Sequence, residues 1–120
     1  MTWTITDQGF AMTLSRAVPV ELRRGIAEIV RSGGGAPSAR FAIHPGGAGI
    51  LDAIDAGLEL DGGRGIQHAW GVLRDVGNIS SGSVLLVLER MLAEHDPTPV
   101  TLLAFGPGLT VETLTLDAPQ

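Results

Sequence analysis

The run Val84-Leu85-Leu86-Val87-Leu88, followed by Met91-Leu92, is apolar over most of a helical circumference. A surface helix shows one apolar stripe, whereas a helix that is apolar all round is buried on several sides. The chain must therefore wrap this segment with other elements or leave part of it for a partner. With 120 residues, 44% hydrophobic and 18% charged, it can build a packed core, and residues 1–120 read as one domain.

The other elements follow from periodicity and breakers. Trp3-Thr4-Ile5-Thr6 is β-prone and runs into a turn at Asp7-Gln8-Gly9. Phe10, Met12 and Leu14 then alternate, which predicts a hairpin. Val18-Pro19 opens a helix on which Leu22, Ile26, Ile29 and Val30 recur at helical spacing, and Ser32-Gly33-Gly34-Gly35 ends it. A short apolar strand over residues 40–44 stops at Pro45-Gly46-Gly47. Ile50, Leu51, Ile54 and Leu58 line one face of the next helix, and Asp52, Asp55 and Glu59 another, which reads as a solvated face.

After a loop at Asp61-Gly62-Gly63, Ile66, Trp70, Leu73 and Val76 mark a third helix. Gly77 stops it, and Asn78 or Ser80 can cap the apolar helix that follows. Two strands, over residues 100–105 and 109–116, close the chain around Gly106-Pro107-Gly108, the second with imperfect alternation. The order is strand, strand, helix, strand, three helices, strand, strand: a mixed α/β arrangement.

Composition excludes several function classes. A net charge of −5 with scattered basic residues argues against nucleic-acid binding. No stretch reaches the roughly 20 apolar residues that span a bilayer. Residues 1–10 carry no basic region followed by an apolar run, so a cytoplasmic location is expected. The chain contains no cysteine, which removes disulfides, thiolate metal sites and cysteine nucleophiles together. His44, His68 and His95 are too widely spaced to suggest a metal site, and His68 and His95 read as surface residues.

Three motifs carry a resemblance: His44-Pro45-Gly46-Gly47, Gly77-Asn78-Ile79-Ser80-Ser81, and Phe105-Gly106-Pro107-Gly108-Leu109-Thr110-Val111-Glu112. With Ile50-Leu51-Asp52, Val72-Leu73-Arg74 and the hairpin of residues 3–15, their order and spacing resemble the carboxy-terminal half of chalcone-synthase-like (type III) polyketide synthases. The resemblance implies half of a thiolase fold, a mixed sheet with helices on both faces. It makes residues 80–94 the central helix of that half. The nucleophilic cysteine of such enzymes lies on the other half.

The chemistry implied is condensation of acyl-CoA with malonyl-CoA. Loss of carbon dioxide from a malonyl thioester leaves an enolate whose charge builds on the thioester oxygen. Neutral imidazole and carboxamide N–H groups aimed at that oxygen stabilise it, and one such donor contributes about 3 kcal/mol. By resemblance His44 and Asn78 are those donors, and His44 also pairs with the cysteine thiolate. Gly46, Gly47 and Gly49 would meet the coenzyme-A arm. Ser80, Met12, Gly106, Pro107 and Gly108 would line the substrate pocket. No metal and no tightly bound cofactor are implied; CoA thioesters are substrates. Met12 stands where plant members carry an aromatic gate, and Ala104 where the family usually has glycine.

Taken singly, the same residues have simpler readings. His44 is then a strand-end histidine bonded to backbone, Asn78 a helix cap, and Gly106-Pro107-Gly108 a hairpin turn. Besides an enzyme part that works with a cysteine-bearing amino-terminal half, the chain also reads as a non-catalytic CoA-binding module. Arg16, Arg40, Arg64 and Arg74 are the cations available to it. A third reading is an assembly module, in which two copies pair through residues 84–92 as a homo-oligomer.

Overall fold

The computed structural model describes residues 1–35 and 39–117. Strands β1 (Thr2–Thr6) and β2 (Gly9–Thr13) form an antiparallel hairpin that pairs Trp3 with Met12 and Ile5 with Phe10. Because side chains alternate along a strand, these four share one face of the ribbon. Helix α1 (Ala17–Ser32) follows and buries Val18, Leu22, Ile26 and Val30, a single stripe at four-residue spacing.

Next come β3 (Arg40–Ile43), α2 (Ala48–Leu58), α3 (Ile66–Asp75), α4 (Ser83–Leu92), β4 (Val100–Gly106) and β5 (Thr110–Leu116). This is the element order read from the sequence. The second sheet runs β3-β4-β5, with β3 parallel and β5 antiparallel to β4. All four residues of β3 are buried. On one face, Arg40 reaches the Met91 carbonyl and forms an ion pair with Glu94, just past the end of α4. On the other, Phe41 lines a hollow with Val30 of α1 and Leu58 of α2. Helices therefore cover both faces of a mixed sheet, as expected. The close approach of α1 and α2 depends on Gly57, where an added methyl would sit 2.8 Å from the Arg23 carbonyl oxygen.

The structure corrects some local expectations. The central helix does not start at residue 80: residues 80–82 form a 3-10 turn, and α4 spans only Ser83–Leu92. Ser80 sits at φ 66°, a left-handed conformation that a right-handed helix cannot incorporate. Neither Asn78 nor Ser80 caps α4, whose N-cap is Gly82 with no side-chain bond. The helix is apolar all round but buries only the stripe Ser83, Val87 and Met91, leaving Leu85 and Leu92 about 60% exposed.

Strand β5 alternates regularly in space. Val111, Thr113 and Thr115 face inward and Leu114 and Leu116 outward. The inward Thr115 hydroxyl is satisfied by Thr101, 3.1 Å away on β4. His68 is also not a surface residue: its ring is largely buried, with Nε2 2.7 Å from Glu94 Oε1. His95 is exposed and follows the end of α4 at φ 55°.

Candidate active site

His44 follows β3 directly, and the sheet fixes its backbone, since its N–H donates to the Leu103 carbonyl at 2.8 Å. The chain then turns sharply. Pro45 is fully buried, and the Gly46 N–H donates back to the His44 carbonyl at 2.9 Å. Gly47 opens α2 at φ 150°, a conformation that side-chain-bearing residues rarely adopt. The imidazole is half-buried, and desolvation pushes its pKa below the usual histidine value, so it is neutral near pH 7.

Asn78 lies in the turn between α3 and α4, and local bonds fix that turn. The Ser80 N–H donates to Asn78 Oδ1 at 2.9 Å, and the Ile79 N–H donates to the hydroxyl of the fully buried Ser83 at 2.8 Å. With Oδ1 engaged, the donor end of the carboxamide is its Nδ2, one of whose two N–H groups points to the Gly46 carbonyl. That group lies 3.5 Å from the Gly46 carbonyl oxygen, a long contact that ties the two motifs together. Ser80 keeps a strained positive φ inside this turn, the kind of backbone cost that tertiary context sustains at ligand sites.

His44 and Asn78 line one cavity of about 600 Å³. Gly46, Ser80, Met12, Gly106 and Pro107 line it too, whereas Gly47, Gly49 and Gly108 are not among its lining residues. Gly47 and Gly49 instead start α2, with Gly49 facing Pro19 of α1. The cavity also takes in Trp3, Leu14, Val18 and Leu22, which sequence reasoning did not assign to it. Hairpin alternation puts Trp3 on the face of Met12, so that residue could have been found. Nothing in the pattern of α1 separates a core stripe from a cavity wall.

No aspartate, glutamate, lysine or arginine lines the cavity. Of the arginines considered for a CoA phosphate, Arg40 is engaged by Glu94 and Asp96, Arg64 by the Ala39 carbonyl, and Arg74 by Asp75. Arg16 is exposed. The acidic residues Asp52, Asp55 and Glu59 flank an open surface hollow, and Asp55 accepts the Gly62 N–H. Among the described residues, no group of three or more His, Asp or Glu is arranged to hold a metal ion, and no helix is long and apolar enough to cross a membrane.

Residues 1–119 match the family of chalcone and stilbene synthases, C-terminal domain. The chain belongs to that family. A 1,3,6,8-tetrahydroxynaphthalene synthase from Streptomyces peucetius subsp. caesius is 35% identical over 119 residues, covering 92% of this chain and 31% of the relative. A 3,5-dihydroxyphenylacetyl-CoA synthase from Streptomyces toyocaensis is 42% identical over 76 residues, covering 61% of this chain and 19% of the relative.

Among solved structures, the type III polyketide synthase domain of the Dictyostelium hybrid Steely1 superposes with a TM-score of 0.84 at 30% identity, over 98% of this chain and 36% of that one. PKS-I from the brown alga Ectocarpus siliculosus gives 0.85 at 26% identity, over 98% and 35%. This chalcone/stilbene synthase C-terminal domain thus spans about a third or less of the relatives and structures it matches.

Proposed function

We propose that the domain forms the charge-stabilising part of a type III polyketide synthase that condenses acyl-CoA with malonyl-CoA. Its nucleophilic cysteine comes from outside these 120 residues, which contain none. One observation carries the reading: a neutral imidazole and a carboxamide whose oxygen is already engaged open onto the same cavity. Both can offer N–H groups to the oxygen of a malonyl thioester. As carbon dioxide leaves, the electron pair of the broken bond delocalises onto that oxygen, and the two donors stabilise the enolate. The enolate carbon then attacks an acyl group held on the cysteine, forming a carbon–carbon bond and expelling the thiolate.

Asn78, Ser80 and Ser81 are exposed, so the cavity wall they form is wet. Preorganised donors are worth most where water is excluded. A cysteine-bearing amino-terminal half would therefore also act as the cover, seated on the outward Leu85–Leu92 side of α4. Acyl-CoA and malonyl-CoA enter as substrates, with no tightly bound cofactor.

The test is to co-express the domain with a cysteine-bearing amino-terminal half of a relative and follow carbon dioxide release from malonyl-CoA. Release should appear only in the assembled pair and fall roughly 100–1000-fold with His44→Ala or Asn78→Ala. An assembled pair that releases no more than its Asn78→Ala counterpart would falsify the reading.

A second reading, an assembly module, is favoured by the exposed leucines of α4. A large exposed apolar patch marks a binding surface, and two copies could pair through Leu85 and Leu92 in an isologous contact. Light scattering at micromolar concentration discriminates, since a monodisperse monomer excludes it.

A further inference from the structure

Among the described residues, Arg40 is the single charged residue that is buried, and it opens the strand that His44 follows. A buried charge is sustained only by close partners. Arg40 Nη2 pairs with Glu94 and donates to the Met91 carbonyl at 3.5 Å, while Nη1 lies 3.4 Å from Asp96. Glu94 uses its second oxygen too, with Oε1 2.7 Å from His68 Nε2 on α3. One carboxylate past the end of α4 thus joins that helix to β3 and α3.

Helix α4 therefore lies antiparallel to β3 and is tied to it at both ends. The start of β3 holds the end of α4 through Arg40, and the turn after β3 meets the turn before α4, where Asn78 Nδ2 reaches the Gly46 carbonyl at 3.5 Å. Between the ties, Val87 and Met91 are fully buried. Hydrophobic burial is non-directional, so these contacts decide which face turns inward and leave axial position to the polar ties. The Arg90–Asp75 pair is solvent-exposed and contributes little. A ten-residue helix transmits a shift at one end to the other, about 15 Å away. The Ile79 N–H bond to Ser83 passes that shift to the Asn78 turn.

We propose, resting on the polyketide synthase reading above, that Arg40 is a positioning residue. By holding the end of α4 against the start of β3, it sets the spacing of the Asn78 carboxamide and the His44 imidazole at the opposite end.

The test is a mutant cycle in the pair assembled with a cysteine-bearing half, read as carbon dioxide release from malonyl-CoA per folded enzyme. Arg40→Met should lower kcat about tenfold and change KM less than about twofold, since a 1 Å misplacement costs up to roughly 100-fold. In an Asn78→Ala background the same change should cost less than about twofold, because residues that act as a unit are not additive. Arg40→Lys should restore part of the rate. In the isolated chain, the Asn78 side-chain amide resonance should move in Arg40→Met and in Glu94→Gln, while hairpin amides stay in place.

Glu94 is partly exposed, so Glu94→Gln decides by the same two readouts if Arg40→Met does not fold. An equal loss of rate with and without the Asn78 carboxamide, or an unmoved Asn78 resonance, overturns the positioning role and leaves the polyketide synthase reading standing. An unaltered pair that releases no carbon dioxide removes that reading, and the Asn78 resonance still decides whether Arg40 holds the turn in place.

Discussion

Strand β3 and the β1–β2 hairpin are both ordered β structure, yet different forces hold them. Every residue of β3 is buried, between β4 on its edge and helices on both faces. Every residue of the hairpin is exposed, including Ile5 at 81% and Phe10 at 73%. The hairpin rests on its own ladder, an edge-to-face contact between Trp3 and Phe10, and the cavity wall it shares with α1. An isolated two-stranded ribbon is marginally stable in water. The two sides of the cavity thus differ in rigidity. His44 follows the buried strand, whereas Trp3 and Met12, which line the same cavity, stand on the exposed hairpin.

The sharpest way to break this contrast is a matched pair of truncations. Ile43→Ala removes a fully buried side chain and should cost about 2–5 kcal/mol in urea unfolding. Ile5→Ala should stay within about 0.5 kcal/mol. Comparable costs would mean that the hairpin is part of the cooperative core. Next in size, Gly57→Ala forces α1 away from α2 and should cost about 1–3 kcal/mol, read as a shift in the urea midpoint.

Ser83→Ala tests the polar side of the cavity. It leaves the Ile79 N–H without its buried partner and should cost about 1–2 kcal/mol. In the assembled enzyme it should lower the decarboxylation rate more than it raises KM, because Asn78 loses its support without losing its carboxamide. A purely structural role for Ser83 would leave the rate of the folded fraction unchanged.

The smallest effect concerns pH. Burial holds His44 below the ordinary value of 6.5, so as pH falls the unfolded chain takes up this proton first. The contribution of His44 is complete above pH 6.5 and is lost as pH drops from there towards the lowered folded value, with a slope under ~1.4 kcal/mol per pH unit. Unfolding measured between pH 7.5 and 5.5 should show that slope, reduced in His44→Gln. Identical slopes in the two proteins would mean that the imidazole is not desolvated.

Much of the fold was legible along the chain. Leu22, Ile26 and Val30, the breakers at Gly33–Gly35 and Gly46-Gly47, and the apolar run after Ser83 declare elements through spacing alone, because local periodicity and backbone sterics are properties of neighbours in sequence. The motifs around His44 and Asn78 likewise pointed to the residues that the structure brings to one cavity. The start of α4 was not legible. Ser80 reads as an acceptable cap, but its left-handed backbone, held between Asn78 Oδ1 and the Ser83 bond to Ile79, postpones the helix by three residues.

The partnership of His68 with Glu94, 26 residues apart, was equally invisible. The sequence by itself determined the order of helices and strands. Only the tertiary structure decided which faces meet. Burial, desolvation and a shared cavity arise from contacts between distant segments, and no local pattern encodes which of several equivalent apolar faces a segment will find.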